Sequence, residues 1–265
     1  MKRPRIVLWV CVFLFVFLPA TLAGQTDCEA GAGPLRQDPP QGIATQDLIK
    51  TFATKESTFK AARRNYTYTE DISVQTLRAN GNRLSVDGEF RQVMEVSYDA
   101  TGRRQEHVTF APQSTLRRIA LTPADFEDFR DIMPYALTAA ELPQYDVLYK
   151  GQQHVDDLDT YVFEVAPRKT ENGKRYFQGR VWVEVRDRVI VKTCGKSVPE
   201  RIASGKKNRG QENIQPLFVT YREQFDGGYW FPTYTRSDDF LQFSRNMVRV
   251  REIIRYKDYR RSGAR

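Results

Sequence analysis

Cysteine and histidine are scarce in this chain of 265 residues, which contains three cysteines and two histidines. His107 and His154 lie far apart, and neither has a cysteine or a second histidine at metal-ligand spacing. Asp156, Asp157 and Asp159 lack EF-hand spacing and are predicted to form a solvated loop. The sequence also lacks a Gly-rich phosphate loop, a nucleophile elbow and a zinc-protease motif. We therefore predict no enzyme, no metal site and no cofactor.

Long apolar runs are also missing after the N-terminus. Three basic residues among the first five precede an apolar run from Ile6 to Leu18, and Pro19 to Ala23 is rich in small residues. A basic start, a short apolar run and a small-residue cleavage site are typical of a secretory signal peptide. The run is short for a membrane span. We predict that residues 1–23 are a cleaved signal peptide; the alternative is an uncleaved N-terminal anchor.

Removal of this segment changes both the cysteine count and the charge. Cys11 is lost, which leaves Cys28 and Cys194 in a compartment that permits disulfides. These two either form one bridge or remain as two thiols, and the sequence leaves both alternatives open. The formal net charge falls from +8 to +5, because three basic and no acidic residues are removed. The remaining charges are scattered, which suits an anionic envelope surface and favours no nucleic-acid partner.

Two helices are predicted among the remaining residues. Residues 24–44 are rich in glycine, alanine and proline, so we expect a flexible leader without fixed structure. From Thr45 to about Arg64, apolar residues recur at helical spacing with basic residues on the other faces. A short second helix should begin at Thr122-Pro123, which suit an N-cap and a first helical position. It should end near Pro134, because proline breaks a helix interior.

Most of the other apolar segments alternate with polar residues, which is typical of antiparallel strands with one apolar face. The stretch from Tyr161 to Lys196 contains three short valine-rich runs separated by turn residues. Asp226-Gly227-Gly228 is a hairpin signal between two later strands. The basic stretch from Pro199 to Pro216 is predicted to be a long surface loop. We expect one mainly β domain over residues 45–265.

Short motifs in these strands resemble a known family. The segments Tyr161-Val162-Phe163-Glu164-Val165-Ala166-Pro167, Arg180-Val181-Trp182-Val183-Glu184 and Val191-Lys192-Thr193 are similar to the strand meander of LolA-like outer-membrane lipoprotein-sorting proteins. The segment from Tyr221 to Pro232 is similar to their closing hairpin. The resemblance implies a mainly β (α+β) fold, namely a curved, incomplete antiparallel barrel of about ten strands. An N-terminal helix and a short second helix would pack on its concave face.

The resemblance also implies a function. Members of this family are periplasmic carriers, so we expect this chain to bind the acyl chains of a lipid or lipoprotein in a hydrophobic hollow. Inner- or outer-membrane proteins are further candidate partners. Strand alternation and the two helices assign the following residues to the hollow: Leu48, Phe52, Tyr66, Tyr68, Phe90, Met94, Val96, Phe126, Phe129, Phe163, Val165, Val181 and Val183.

Two other interpretations remain open at the level of sequence. The same apolar residues equally suit an ordinary filled core, because periodicity does not distinguish a lined cavity from a packed one. The protein would then be a non-catalytic envelope interaction or sensor module with the same fold. An envelope hydrolase would require a Ser/His/Asp cluster around His107 or His154.

Overall fold

The structure, a computed structural model, describes residues 26–81, 83–199, 216–225, 228–242 and 247–262. The predicted signal peptide and most of the predicted loop from Pro199 to Pro216 lie outside these ranges, as do Asp226 and Gly227 of the predicted hairpin turn. No helix in the described ranges is long and apolar enough to cross a bilayer.

Ten strands account for most of the described chain. They are β1 (Tyr66–Asn80), β2 (Arg83–Tyr98), β3 (Arg104–Phe110), β4 (Tyr145–Val155), β5 (Leu158–Pro167), β6 (Tyr176–Glu184), β7 (Ile190–Val198), β8 (Phe218–Phe225), β9 (Tyr229–Gln242) and β10 (Met247–Arg261). The helices are α1 (Thr45–Arg63) and α2 (Pro123–Glu127). A π-helical turn (Asp128–Ile132) follows α2 directly, and a 3-10 turn (Leu142–Gln144) precedes β4.

The strands form one antiparallel sheet in the order β3-β2-β1-β10-β9-β8-β7-β6-β5-β4. Neighbours in this order are also neighbours in the chain, except that β10 returns to pair with β1. The curved sheet is not closed, because β3 and β4 lie at its two edges and do not pair with each other. The predicted fold, an incomplete antiparallel barrel of about ten strands with two helices, is confirmed.

The main core lies on the concave face of this sheet. The apolar stripe of α1 packs there, with the Phe52 ring 5.2 Å from Phe163 and the Phe59 ring 5.6 Å from Phe231. Residues 119–144, here called the cover segment, complete this layer and contribute Phe129 to the core. Each such side chain contributes roughly 1.5–3 kcal/mol when it is removed from water. Burial of apolar area therefore holds α1 and the cover segment on the sheet.

A smaller apolar cluster lies on the convex face, around Trp182 and Cys194. The leader covers it: Cys28 forms a disulfide with Cys194, and Ala32 and Arg36 make isolated bridges to the free edge of β4. We expected a leader without fixed structure, but these contacts fix its described part on the sheet. Composition did not reveal this, because a disulfide and two backbone bridges require few apolar residues. The leader thus covers the Gln152–Val155 end of the β4 edge, whereas β3 is exposed along most of its length.

Candidate functional site

The residues predicted to line a lipid hollow lie together between the concave face and its helical cover. All of them belong to one apolar cluster or pack against it. All are buried except Phe90 and Phe126, which are half-buried and meet edge to face at 5.7 Å. None of them lines the clefts described below. In this conformation the predicted set is a packed core, and its role in binding lipid stays a prediction.

A buried ion pair joins α1 to the sheet. Glu56 lies on the apolar face of α1, and Arg222 of β8 donates to both of its carboxylate oxygens at 3.0 Å. The backbone N–H of Ile190 also donates to Glu56, and Arg222 donates to the carbonyl of Tyr135 in the cover segment. Burial raises the pKa of the Glu56 carboxyl, and the charge of Arg222 opposes that shift. One buried pair therefore connects α1, two strands and the cover segment.

A second buried ion pair fastens the cover segment. Arg175, just before β6, donates to the two carboxylate oxygens of Asp128 at 3.0 and 2.5 Å. Ser197 of β7 donates to the same carboxylate at 2.6 Å. Burial raises the pKa of Asp128, and hydrogen bonding and charge from Arg175 oppose this. The π-helical turn is thus held to the sheet by charge as well as by apolar contact.

A third polar network lies at the last turn of α1. The phenol oxygen of Tyr68 accepts hydrogen bonds from Arg63 at 2.6 Å and from Arg104 of β3 at 2.8 Å. Arg104 also pairs with Glu70 at 2.6 Å. Burial raises the pKa of Glu70, while the charge of Arg104 lowers it in part. This network connects the end of α1 to β1 and to the edge strand β3.

Glu252 of β10 is a buried carboxyl with neither oxygen in a hydrogen bond among the described residues. It interrupts the apolar row of β10 between Val250 and Ile254 and points to the concave side. Burial raises its pKa well above the ordinary value of 4.5, and the carboxylates of Asp125 and Asp128 raise it further. Both effects favour the protonated form of Glu252, which faces the acidic side chains of the cover segment.

Two clefts open beside α1, and Phe59 lines both. The larger, of about 390 Å³, lies between the end of α1, the cover segment and the start of β6. Its walls include Lys60, Arg63 and Arg130. The smaller, of about 280 Å³, lies between α1 and the β8–β9 hairpin. A third cleft, of about 540 Å³, lies on the convex side beside Lys192. The first two lie where the packed core meets solvent.

Sequence reasoning did not assign a role to Glu56, Arg222, Asp128, Arg175 or Glu252. For two of them, the sequence pattern indicated a charged residue at a core position. Glu56 falls four residues after Phe52 and three before Phe59, on the apolar face of a helix. Glu252 falls in an otherwise apolar alternation. A charged residue at a core position needs a partner or a raised pKa, so both positions were candidates for a functional polar site.

The histidines lie outside this site. His107 is exposed on β3, and His154 of β4 is exposed, with its Nδ1 3.1 Å from a carboxylate oxygen of Asp159. Within the ranges that the structure describes, no group of three or more His, Cys, Asp or Glu residues could hold a metal ion.

Comparisons with known proteins give only distant structural similarities. No family profile matches the chain, and no curated protein matches it significantly. It is similar to the crystal structure of a DUF1329 family protein from Desulfovibrio piger, with 14% identity over 81% of this chain and 95% of that chain and a TM-score of 0.38. A predicted outer membrane lipoprotein-sorting protein domain from Vibrio parahaemolyticus has 11% identity over 80% of this chain and 92% of that chain, and a TM-score of 0.36. The crystal structure of MucB has 14% identity over 80% of this chain and 92% of that chain, with a TM-score of 0.26.

Proposed function

We propose that this protein is a non-enzymatic carrier of the cell envelope that binds the acyl chains of a lipid or lipoprotein between its concave sheet face and its helical cover. One observation carries the proposal: α1 and the cover segment lie on a large apolar face without joining the sheet as strands. Such a layer can separate from the sheet while the backbone hydrogen bonds of the sheet remain intact.

The buried ion pairs support a cover that opens and closes. Charges removed from water contribute little net stability, but they fix one arrangement of the groups that they join. The Glu56–Arg222 and Asp128–Arg175 pairs would define the closed state in this way. Opening would separate Phe52 from Phe163 and expose apolar surface. An acyl chain could cover this surface, with a gain of about 0.8 kcal/mol for each buried methylene.

The Cys28–Cys194 disulfide agrees with an exported protein, because such bonds persist in oxidising compartments. The proposed location is therefore the periplasm, reached through the predicted signal peptide. Transfer of the acyl chain to a membrane or to another envelope protein would follow reopening of the cover. No covalent step is involved.

The proposal is tested on gently purified protein. Native mass spectrometry should detect co-purified lipid, and unlabelled fatty acid should displace a fluorescent fatty-acyl probe. Arg222→Met should change probe affinity or uptake rate, because it removes the ion pair between α1 and β8. Arg168→Met, which removes an exposed pair with Asp146, is the matched control and should leave binding unchanged. Folded protein with neither co-purified lipid nor displacement would contradict the carrier function.

A second function is favoured by the packing of the predicted hollow. Because those side chains contact one another in this conformation, the same fold could act as a non-catalytic interaction module that recognises an envelope protein. Amide exchange of α1 distinguishes the two functions. Its protection should change when an acyl ligand is added if the protein is a carrier, and should stay constant if the core remains filled.

A further inference from the structure

Four large apolar side chains are exposed at one end of the sheet. The exposed fractions are 40% for Leu84, 53% for Val86, 44% for Phe240 and 61% for Met247. They lie near the start of β2, the end of β9 and the start of β10. Exposed apolar residues scattered singly need no explanation, but a contiguous group marks a contact surface.

The strand register places these side chains on one face. Val86 pairs with Leu77, Leu77 with Arg249, and Arg249 with Phe240, so one row crosses four strands. The exposed Val86 and Phe240 stand at its two ends, and the buried Leu77 and half-buried Arg249 lie between them. Val248 and Val250 flank Arg249 and face the concave core, so the row lies on the convex side. Leu84 and Met247 lie two residues from members of the row and point the same way. Together, Leu84, Val86, Phe240 and Met247 form what we call the tip patch.

A β-bulge creates half of this patch. Gly88 pairs with Thr76 and Val86 pairs with Leu77, so Asp87 is an extra residue in β2. One extra residue exchanges the two faces of a strand. Without it, Leu84 and Val86 would continue the concave row of Phe90 and Met94. The bulge turns them outwards instead.

Positive charge surrounds the patch. Arg78 and Arg118 both pair with Asp87, and Arg249 and Arg251 both pair with Asp238. Each carboxylate is therefore shared by two guanidinium groups and lies largely beneath them. Arg83, next to Leu84, is exposed. Glu89 and Asp239, the other acidic side chains near these strand ends, are half-buried. Arg249 and Arg251 are half-buried as well, so the exposed charges among these residues are those of Arg78, Arg83 and Arg118, and they are cationic.

We infer that the tip patch is a docking surface for an anionic lipid bilayer. Two adjacent hairpin ends that present apolar side chains within a rim of arginines match the chemistry of a membrane interface. The apolar groups would enter the boundary between headgroups and acyl chains, and the arginines would contact lipid phosphates. This surface is separate from the concave core, so the inference does not depend on the proposed carrier function.

The test uses the exported protein, purified with its mature N-terminus verified by mass spectrometry. It is sedimented with vesicles of phosphatidylethanolamine and phosphatidylglycerol, and in parallel with vesicles of phosphatidylcholine alone. We expect binding to the anionic vesicles only, reduced at high salt. Val86→Thr combined with Met247→Gln should weaken it about tenfold, because two apolar side chains no longer enter the membrane. Arg83→Gln should weaken it about fivefold.

Leu148→Ser is the matched control, because Leu148 is an equally exposed apolar side chain on β4. This variant should bind like the wild type. Absence of binding to anionic vesicles, or equal loss in the tip-patch and Leu148 variants, would overturn the inference. Loss of a dimer or of a protein complex in the tip-patch variant, without an effect on vesicle binding, would assign the patch to a protein partner instead. The probe-displacement assay, run without vesicles, should be unchanged in every variant.

Discussion

At the scale of single residues, Glu252 is the clearest departure from ordinary core chemistry. It is a carboxyl group in an apolar row, with no hydrogen-bond partner in the described ranges and with Asp125 and Asp128 nearby. The folded protein holds the Glu252 proton more tightly than the unfolded chain does. Its stability should therefore fall as the pH rises above about 4.5, where the unfolded chain releases this proton first.

Glu252→Gln should remove this part of the pH dependence of the free energy of unfolding. For one group, the wild-type free energy of unfolding falls by at most about 1.4 kcal/mol per pH unit, up to the pKa of the folded state. The variant should be more stable than the wild type at neutral pH, and the difference should disappear below about pH 4.5. Denaturant titrations over this range measure the effect. Glu164→Gln, at an exposed position on β5, is the control. If the free energy of unfolding depends on pH in the same way in the wild type and in Glu252→Gln, the raised pKa of Glu252 is contradicted.

The Asp128–Arg175 pair provides a second test at this scale. Arg175→Met leaves a buried carboxylate without its main partner, which should cost roughly 3–5 kcal/mol in the free energy of unfolding. Arg168→Met removes an exposed pair and should cost about 1 kcal/mol or less. Urea unfolding measures both. Similar losses in the two variants would mean that the buried pair does not fasten the cover segment.

At the scale of elements, α1 is the part expected to move. Glu56→Gln replaces the ion pair with Arg222 by a neutral hydrogen bond, which should make opening of α1 easier. We expect the amides of residues 45–63 to exchange roughly tenfold faster, while the strands keep their protection. Lys50→Gln, on the exposed face of α1, should have no such effect. Uniformly faster exchange throughout the protein would indicate general destabilisation and not a moving helix.

Sequence periodicity predicted the helices and strands better than it predicted which faces are buried and which residues contact one another. The helical spacing from Thr45 and the valine-rich runs between Tyr161 and Lys196 both identified their elements, because each element has one face in the same core. Alternation gives two faces but does not say which is buried, and the extra residue Asp87 exchanges the faces of β2. The exposed position of Val86 therefore could not be read from the sequence. Glu56 and Arg222 are far apart in the chain, and only the fold brings them together.

At the scale of the whole molecule, the leader is the least expected feature. Its disulfide joins Cys28 to Cys194 across a sequence separation of 166 residues. Combined Cys28→Ser and Cys194→Ser should lower the free energy of unfolding by about 2–5 kcal/mol, because the unfolded chain regains the freedom that the bond removes. Amides of residues 29–36 should lose protection, and the fluorescence of buried Trp182 should shift to the red. Unchanged amide protection of residues 29–36 in this variant would show that the disulfide does not hold the leader on the sheet.

The contact of the leader with β4 also determines when this edge of the sheet is closed. If the Cys28–Cys194 disulfide is what holds the leader, this edge stays open until the two thiols are oxidised. An open edge strand offers unpaired N–H and C=O groups to a neighbouring copy. Chains produced under reducing conditions should therefore associate edge to edge. Assembly of this protein as a monomer would then depend on the timing of thiol oxidation as well as on its sequence.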